Sequence, residues 1–94
     1  PEPMKAVRLI ITGRVQGVWF RGWAAEMARV RGLKGWVRNR RDGSVEALFS
    51  GPGDAVAAMV EDCRRGLPAA RIDALVQEEA EPPAGAGFHQ LPTE

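Results

Sequence analysis

From Ala6 the chain alternates, with Val7, Leu9 and Ile11 on one side and Ala6, Ile10 and Thr12 on the other. A period of two predicts a strand with an apolar inner face and a partly covered outer face. Gly13 and Gly17 punctuate the next stretch. From Phe20 the period lengthens: Phe20, Trp23, Ala24, Met27 and Ala28 recur at the spacing of one helix face, and Gly32 is expected to close that helix. Two short strand-like runs, "KGWVRNR" and "SVEALFS", flank Arg41-Asp42-Gly43, a strong hairpin signal. In the second run Val45, Ala47 and Phe49 share a face, with Glu46 and Leu48 opposite, and Gly51-Pro52 is expected to break the strand. Val56, Met59, Val60 and Cys63 then form a second helical stripe ending at Gly66. Ile72, Ala74 and Val76 alternate again, and "FHQL" after a Pro/Gly-rich loop suggests a short last strand.

The predicted order is β-α-β-β-α-β with a short extra C-terminal strand. It describes an α+β fold of the ferredoxin-like kind, in which two helices cover one face of a mainly antiparallel sheet. Ninety-four residues are expected to form one domain spanning 1–94. A composition of 45% hydrophobic and 27% charged residues is that of an ordinary globular chain. At a net charge of +1 no global field draws in nucleic acid or an anionic membrane.

One cysteine, Cys63, excludes an intrachain disulfide and a cysteine-based zinc cluster. With His89 the only histidine, neither a metal centre nor a cofactor is expected. Cys63 reads as core and His89 as a strand or surface residue. No apolar run approaches the length of a membrane span. Pro1-Glu2-Pro3 lacks the basic-then-apolar order of a secretory signal, so a cytoplasmic protein is expected.

One local rule is broken. Arg21 falls in the first turn of the predicted helix, where the backbone already carries partial positive charge. A loop that leaves a strand and enters a helix has several N–H groups without partners, and a curled loop gathers them into a nest for a tetrahedral anion. Gly17 gives the bend its freedom, and the guanidinium of Arg21 can add a two-pronged grip on a phosphate. Neither GxxxxGK[ST] nor GxGxxG occurs, so nucleotide loops of those kinds are excluded. Asn39 is the second unusual residue, a poor strand former in a strand-like run. It either starts the hairpin turn or presents a neutral amide that holds a water.

With "GRVQGVWFR", "GLKGWVRN" and "DGSVEA" in this order and spacing, the chain closely resembles the acylphosphatases from about Val7 to Phe88. The resemblance implies the same ferredoxin-like sandwich and the metal-independent hydrolysis of acylphosphates to carboxylate and inorganic phosphate. It implies that the main chain of Gln16, Gly17, Val18, Trp19 and Phe20 wraps the phosphate, that Arg21 binds it, and that Asn39 orients the attacking water. Inorganic phosphate is then expected as product and inhibitor. With no exposed heptad or long apolar edge in the sequence, a monomer is the default expectation. Gly22 loosens the first helical turn, Trp19 fills the loop's variable position at the rim, and Gln90 stands where a β-branched apolar residue is more usual. Two other readings remain open. A module of this fold can bind phosphate or carbamoyl phosphate without turnover. The same element order also serves RNA-recognition domains, although the first strand here lacks the aromatics that stack bases.

Overall fold

A computed structural model describes residues 3–94; Pro1 and Glu2, which open the segment weighed as a secretory signal, lie outside the described residues. The elements are β1 (Met4–Arg14), α1 (Phe20–Val30), β2 (Lys34–Asn39), β3 (Val45–Pro52), α2 (Gly53–Arg65), β4 (Arg71–Glu79) and β5 (Phe88–Gln90). One five-stranded sheet has the order β4-β1-β3-β2-β5. All neighbours are antiparallel except β5, which runs parallel to β2. This is the ferredoxin-like α+β arrangement with a short added edge strand.

The core lies between the two helices and the sheet face that carries Val7, Leu9, Ile11, Val37, Val45, Ala47 and Phe49. Phe20, Phe49, Leu9, Ile11 and Met59 are its largest fully enclosed side chains. Burying each contributes about 1.5–3 kcal/mol relative to exposure. In α1 the enclosed stripe is Phe20, Ala24, Ala25 and Ala28, while Trp23 and Met27 are half-buried at its border. Alanines let this helix lie close to the sheet, which rotates the expected stripe slightly toward Ala25. The helix ends as expected, with Gly32 N–H donating to Arg29 O (3.0 Å) and Leu33 N–H to Ala28 O (2.9 Å).

Two local expectations are corrected. Gly13 sits within β1, at a register shift opposite Ile72. Its φ is +127°, and a Cβ there would overlap the carbonyl oxygen of Arg71 and lie 2.8 Å from Asp73 N. Across this bulge Thr12 pairs with Ala74 and Gly13 with Ile72, so Asp73 is the extra residue. The bulge flips the parity of β4: Ile72 and Leu75 face the core, whereas Val76 is 61% exposed. Gly51-Pro52 likewise fails to break β3, because both residues pair with β1 and the helix follows at once from Gly53.

Two carboxylates are buried, which the local pattern does not signal. Asp62 in α2 accepts from Arg31 (3.0 and 2.6 Å) and Arg65 (2.7 Å), which ties the C-terminal end of α1 to α2. Glu46 lies on the sheet face away from the helices yet is 3% exposed, enclosed by Arg8, Arg38 and Arg40. Burial pushes its carboxyl up, but hydrogen bonds from Arg38 and Arg8 outweigh this and hold it below the usual range. Among the described residues no helix is long and apolar enough to cross a membrane.

Candidate active site

The link from β1 to α1 turns tightly at Gly17, whose φ is +75°, and then at Trp19, whose φ of 65° and ψ of 25° are left-handed. Two such residues so close together curl the chain rather than extend it. No side chain caps the N-terminus of α1, and its first backbone bond runs from Trp23 N–H to Trp19 O (3.0 Å). The N–H groups of Phe20, Arg21 and Gly22 are therefore left over by the helix itself.

A cavity of about 150 Å³ opens at this turn. Gln16, Gly17, Trp19, Phe20 and Arg21 line one side of it, and Asn39 lines it from the end of β2. Val18 is the exception among the predicted loop residues. It is not part of the cavity wall, and its side chain packs against the core. Val15, Gly22 and Gln90 complete the lining and were not assigned from the sequence.

Separate contacts hold the pieces in place. The side-chain amide of Gln16 donates to Arg40 O (2.7 Å) and Ser44 O (2.9 Å), so the loop is tied to the β2–β3 hairpin that presents Asn39. That hairpin is itself set by Asp42, which accepts from Ser44 N–H (2.9 Å) and Ser44 Oγ–H (2.6 Å). The hydrogen bonds from Ser44, side chain first, hold the Asp42 carboxyl below its ordinary range. Asn39 pairs with Val45 across the hairpin, and its carbonyl accepts from Glu94 N–H (3.0 Å).

Arg21 is half-buried, and its Nη1 donates to the carbonyl oxygen of Leu91 (3.3 Å). Leu91 is fixed in turn by donating to Val37 O (2.9 Å). Just upstream, the ring of Phe88 stacks on Phe49 with centroids 5.4 Å apart. The C-terminal segment thus touches both Arg21 and the strand of Asn39. A backbone carbonyl leaves no trace in residue type, so no sequence signal pointed to Leu91.

The remaining candidates fall away from this cavity. Cys63 is enclosed in the core, where burial pushes its thiol up to about 12. His89 is exposed on β5, with Nε2 2.8 Å from Ala86 O. In the basic run of the hairpin, Arg38 and Arg40 are both engaged by Glu46, and Arg38 also lies over the Trp36 ring at 4.9 Å. Among the described residues no three His, Cys, Asp or Glu side chains are grouped to hold a metal ion.

The family model for acylphosphatase matches residues 7–90. The chain is 53% identical over 90 residues to the acylphosphatase of Rhodospirillum rubrum, covering 96% of this chain and 99% of that one. It is 52% identical over 88 residues to the acylphosphatase of Rhizorhabdus wittichii, covering 94% and 89%. It superposes on the crystal structure of acylphosphatase from Bacillus subtilis with a TM-score of 0.86 at 37% identity, over 95% of this chain and 99% of that one. Likeness at this level, over nearly the full length of each relative, places the chain in the acylphosphatase family.

Proposed function

We propose that this chain hydrolyses acylphosphates through the cavity between the β1–α1 turn and the end of β2, with Arg21 binding the phosphoryl group and Asn39 orienting the water. The observation that carries this reading is that Arg21 and Asn39 line one cavity together with the turn that opens α1, whose N-terminus no side chain caps. Its volume, about 150 Å³, corresponds to roughly five waters at about 30 Å³ each, enough for a phosphoryl group and a nucleophile.

The chemistry asks little more of the protein. An acylphosphate is a mixed anhydride, and attack at phosphorus expels a carboxylate whose acid has a pKa near about 4. Such a group departs without a proton, so no general acid is needed. The transition state is loose, with little bonding to the incoming oxygen, so a strong base is also dispensable. What remains is placement and charge: loop N–H groups and Arg21 act on the phosphoryl oxygens, and the Asn39 amide holds the water in line. Arg21 is unfavourable beside an empty helix terminus and favourable beside a bound dianion. Inorganic phosphate should occupy the same cradle as product and inhibitor. Arg21, the loop and Asn39 come from one chain, which supports a monomer as the working unit.

The test is hydrolysis of benzoyl phosphate by the purified protein without added metal and in the presence of a chelator. Turnover above the buffer rate is expected. Phosphate binding without turnover would replace this reading with that of a binding module. An RNA-binding role gains no support, since Arg38 and Arg40 are already engaged by Glu46.

A further inference from the structure

Trp19 is the only non-glycine residue with positive φ among the described residues, and its side chain is 61% exposed. A left-handed conformation is costly for a bulky L-residue and persists only where its surroundings hold it. What holds it is Gly22. A Cβ at that position would lie 2.7 Å from Cδ1 of the Trp19 indole and overlap Nε1 and Cε2, so the ring rests directly on the α1 backbone. Gly22 is buried as a result, although it occupies the first turn of a helix. The glycine that weakens the helix is the seat of the indole.

The size of the cavity decides what that indole meets. At about 150 Å³ it is well below the roughly 300–1,000 Å³ of pockets that enclose whole small molecules. An acylphosphate therefore places its phosphoryl group inside and its acyl group at the mouth. Of the large apolar side chains in the wall, Val15 and Phe20 are sealed in the core, which leaves Trp19 alone to offer an apolar surface to solvent. The pyrrole part of the indole lies against Gly22, while Trp19 as a residue stays 61% exposed.

Resting on the hydrolase reading above, the geometry points to Trp19 as the residue that determines acyl-group specificity: its indole, seated on Gly22, is a fixed platform on which an aromatic acyl group stacks at the mouth of the phosphate cavity. A planar aromatic group can offset-stack on the ring or meet it edge to face, whereas an acetyl group covers little of it. Because the indole is already seated, stacking requires little further ordering. The contact exists before and after the phosphoryl group moves, so it acts on KM more than on kcat.

The experiment compares kcat/KM for benzoyl phosphate and acetyl phosphate, and reads the ratio of the two in the parent chain and in three variants. Trp19→Asn keeps a residue that tolerates the left-handed backbone and removes the platform. Gly22→Ala keeps Trp19 and lifts its ring, and Trp19→Phe retains an aromatic surface. The benzoyl-to-acetyl ratio is expected to fall about 10-fold in Trp19→Asn, the scale of one aromatic contact, mainly through KM for benzoyl phosphate. A smaller fall is expected in Gly22→Ala, and recovery of most of the ratio in Trp19→Phe. A purely structural role would lower both substrates in proportion, and an unchanged ratio in Trp19→Asn and Gly22→Ala overturns the proposal. If the parent chain turns over neither substrate, the hydrolase reading itself fails, and this proposal with it.

Discussion

The side-chain amide of Gln16 reaches across the cavity's edge to the carbonyl oxygen of Arg40, at 2.7 Å, and shares its second N–H with Ser44. The β1–α1 loop and the strand of Asn39 are thereby one mechanical unit, joined by the side chain of Gln16. Replacing Gln16 with Leu leaves two hairpin carbonyls without this donor, at a cost of about 1–3 kcal/mol in stability. Activity should fall by at least about 10-fold, because misplacing a positioned group by a fraction of its own size is costly. Gln16→Glu should be worse than Leu, since it aims a carboxylate at two carbonyl oxygens. Urea midpoints and kcat for the two variants check both statements.

Arg21→Ala and Asn39→Ala should each lower kcat by about 10²–10³-fold, the scale for removing one transition-state donor. The two should part company in product inhibition. Arg21→Ala is expected to weaken inhibition by inorganic phosphate strongly, whereas Asn39→Ala should leave it within about 3-fold, since Asn39 is assigned to the water. Weakened inhibition in both would place Asn39 on the phosphate instead.

Deleting residues 91–94 should lower kcat/KM by about 10-fold, the loss of a hydrogen bond to a charged group. The Leu91 carbonyl that accepts from Arg21 is removed, as is the Glu94 N–H that donates to Asn39 O. Circular dichroism should show the sheet retained, because the Phe88–Phe49 stack remains. Full activity in the shortened chain would show that Arg21 needs no such anchor.

Acid stability should depend on Glu46. Its folded-state pKa lies below the unfolded value near 4.5, so the folded protein binds its proton later than the unfolded chain as pH falls. Its contribution is complete above that value and is lost as pH drops through the lowered folded pKa. Glu46→Gln should therefore be less stable than the parent at neutral pH, by at most about 3 kcal/mol, the low end for breaking a buried pair, because the arginines can turn toward water. The gap should narrow below about pH 4 in denaturant titrations.

Cys63 should be inert. With its thiol enclosed and pushed up to about 12, no thiolate is available near neutral pH. A disulfide-exchange reagent at pH 8 should label the unfolded chain and leave the native chain unlabelled and fully active. Rapid labelling of the native protein would mean that the second helix opens readily.

Much of this architecture is legible in the residues because inner positions are large and regularly spaced. Val7, Leu9 and Ile11, or Val56, Met59, Val60 and Cys63, permit one orientation each. Legibility fails where a residue's partner lies far along the chain. Ile72, Ala74 and Val76 alternate faithfully, yet Asp73 is accommodated as an extra residue opposite Gly13, and no local pattern in β4 records that. Glu46 looks like a solvent-facing strand residue until arginines from β1 and β2 close over it. At the site, Arg21 and Asn39 stand out because each violates a local preference. Gln16 and Leu91 violate none, and their roles depend on carbonyl oxygens that every residue possesses.

The parallel pairing of β5 with β2 has a consequence for the order of events in folding. Arg21 and Leu91 are seventy positions apart, and Gln16 and Arg40 twenty-four. No short piece of the chain contains a rudimentary version of the cavity. Non-local pairing of this kind is slow to form, because chain ends must be closed before contacts reward it. Catalysis is therefore a late reporter: regain of turnover after dilution from denaturant should lag the return of helical signal, marking the moment at which the last strand docks.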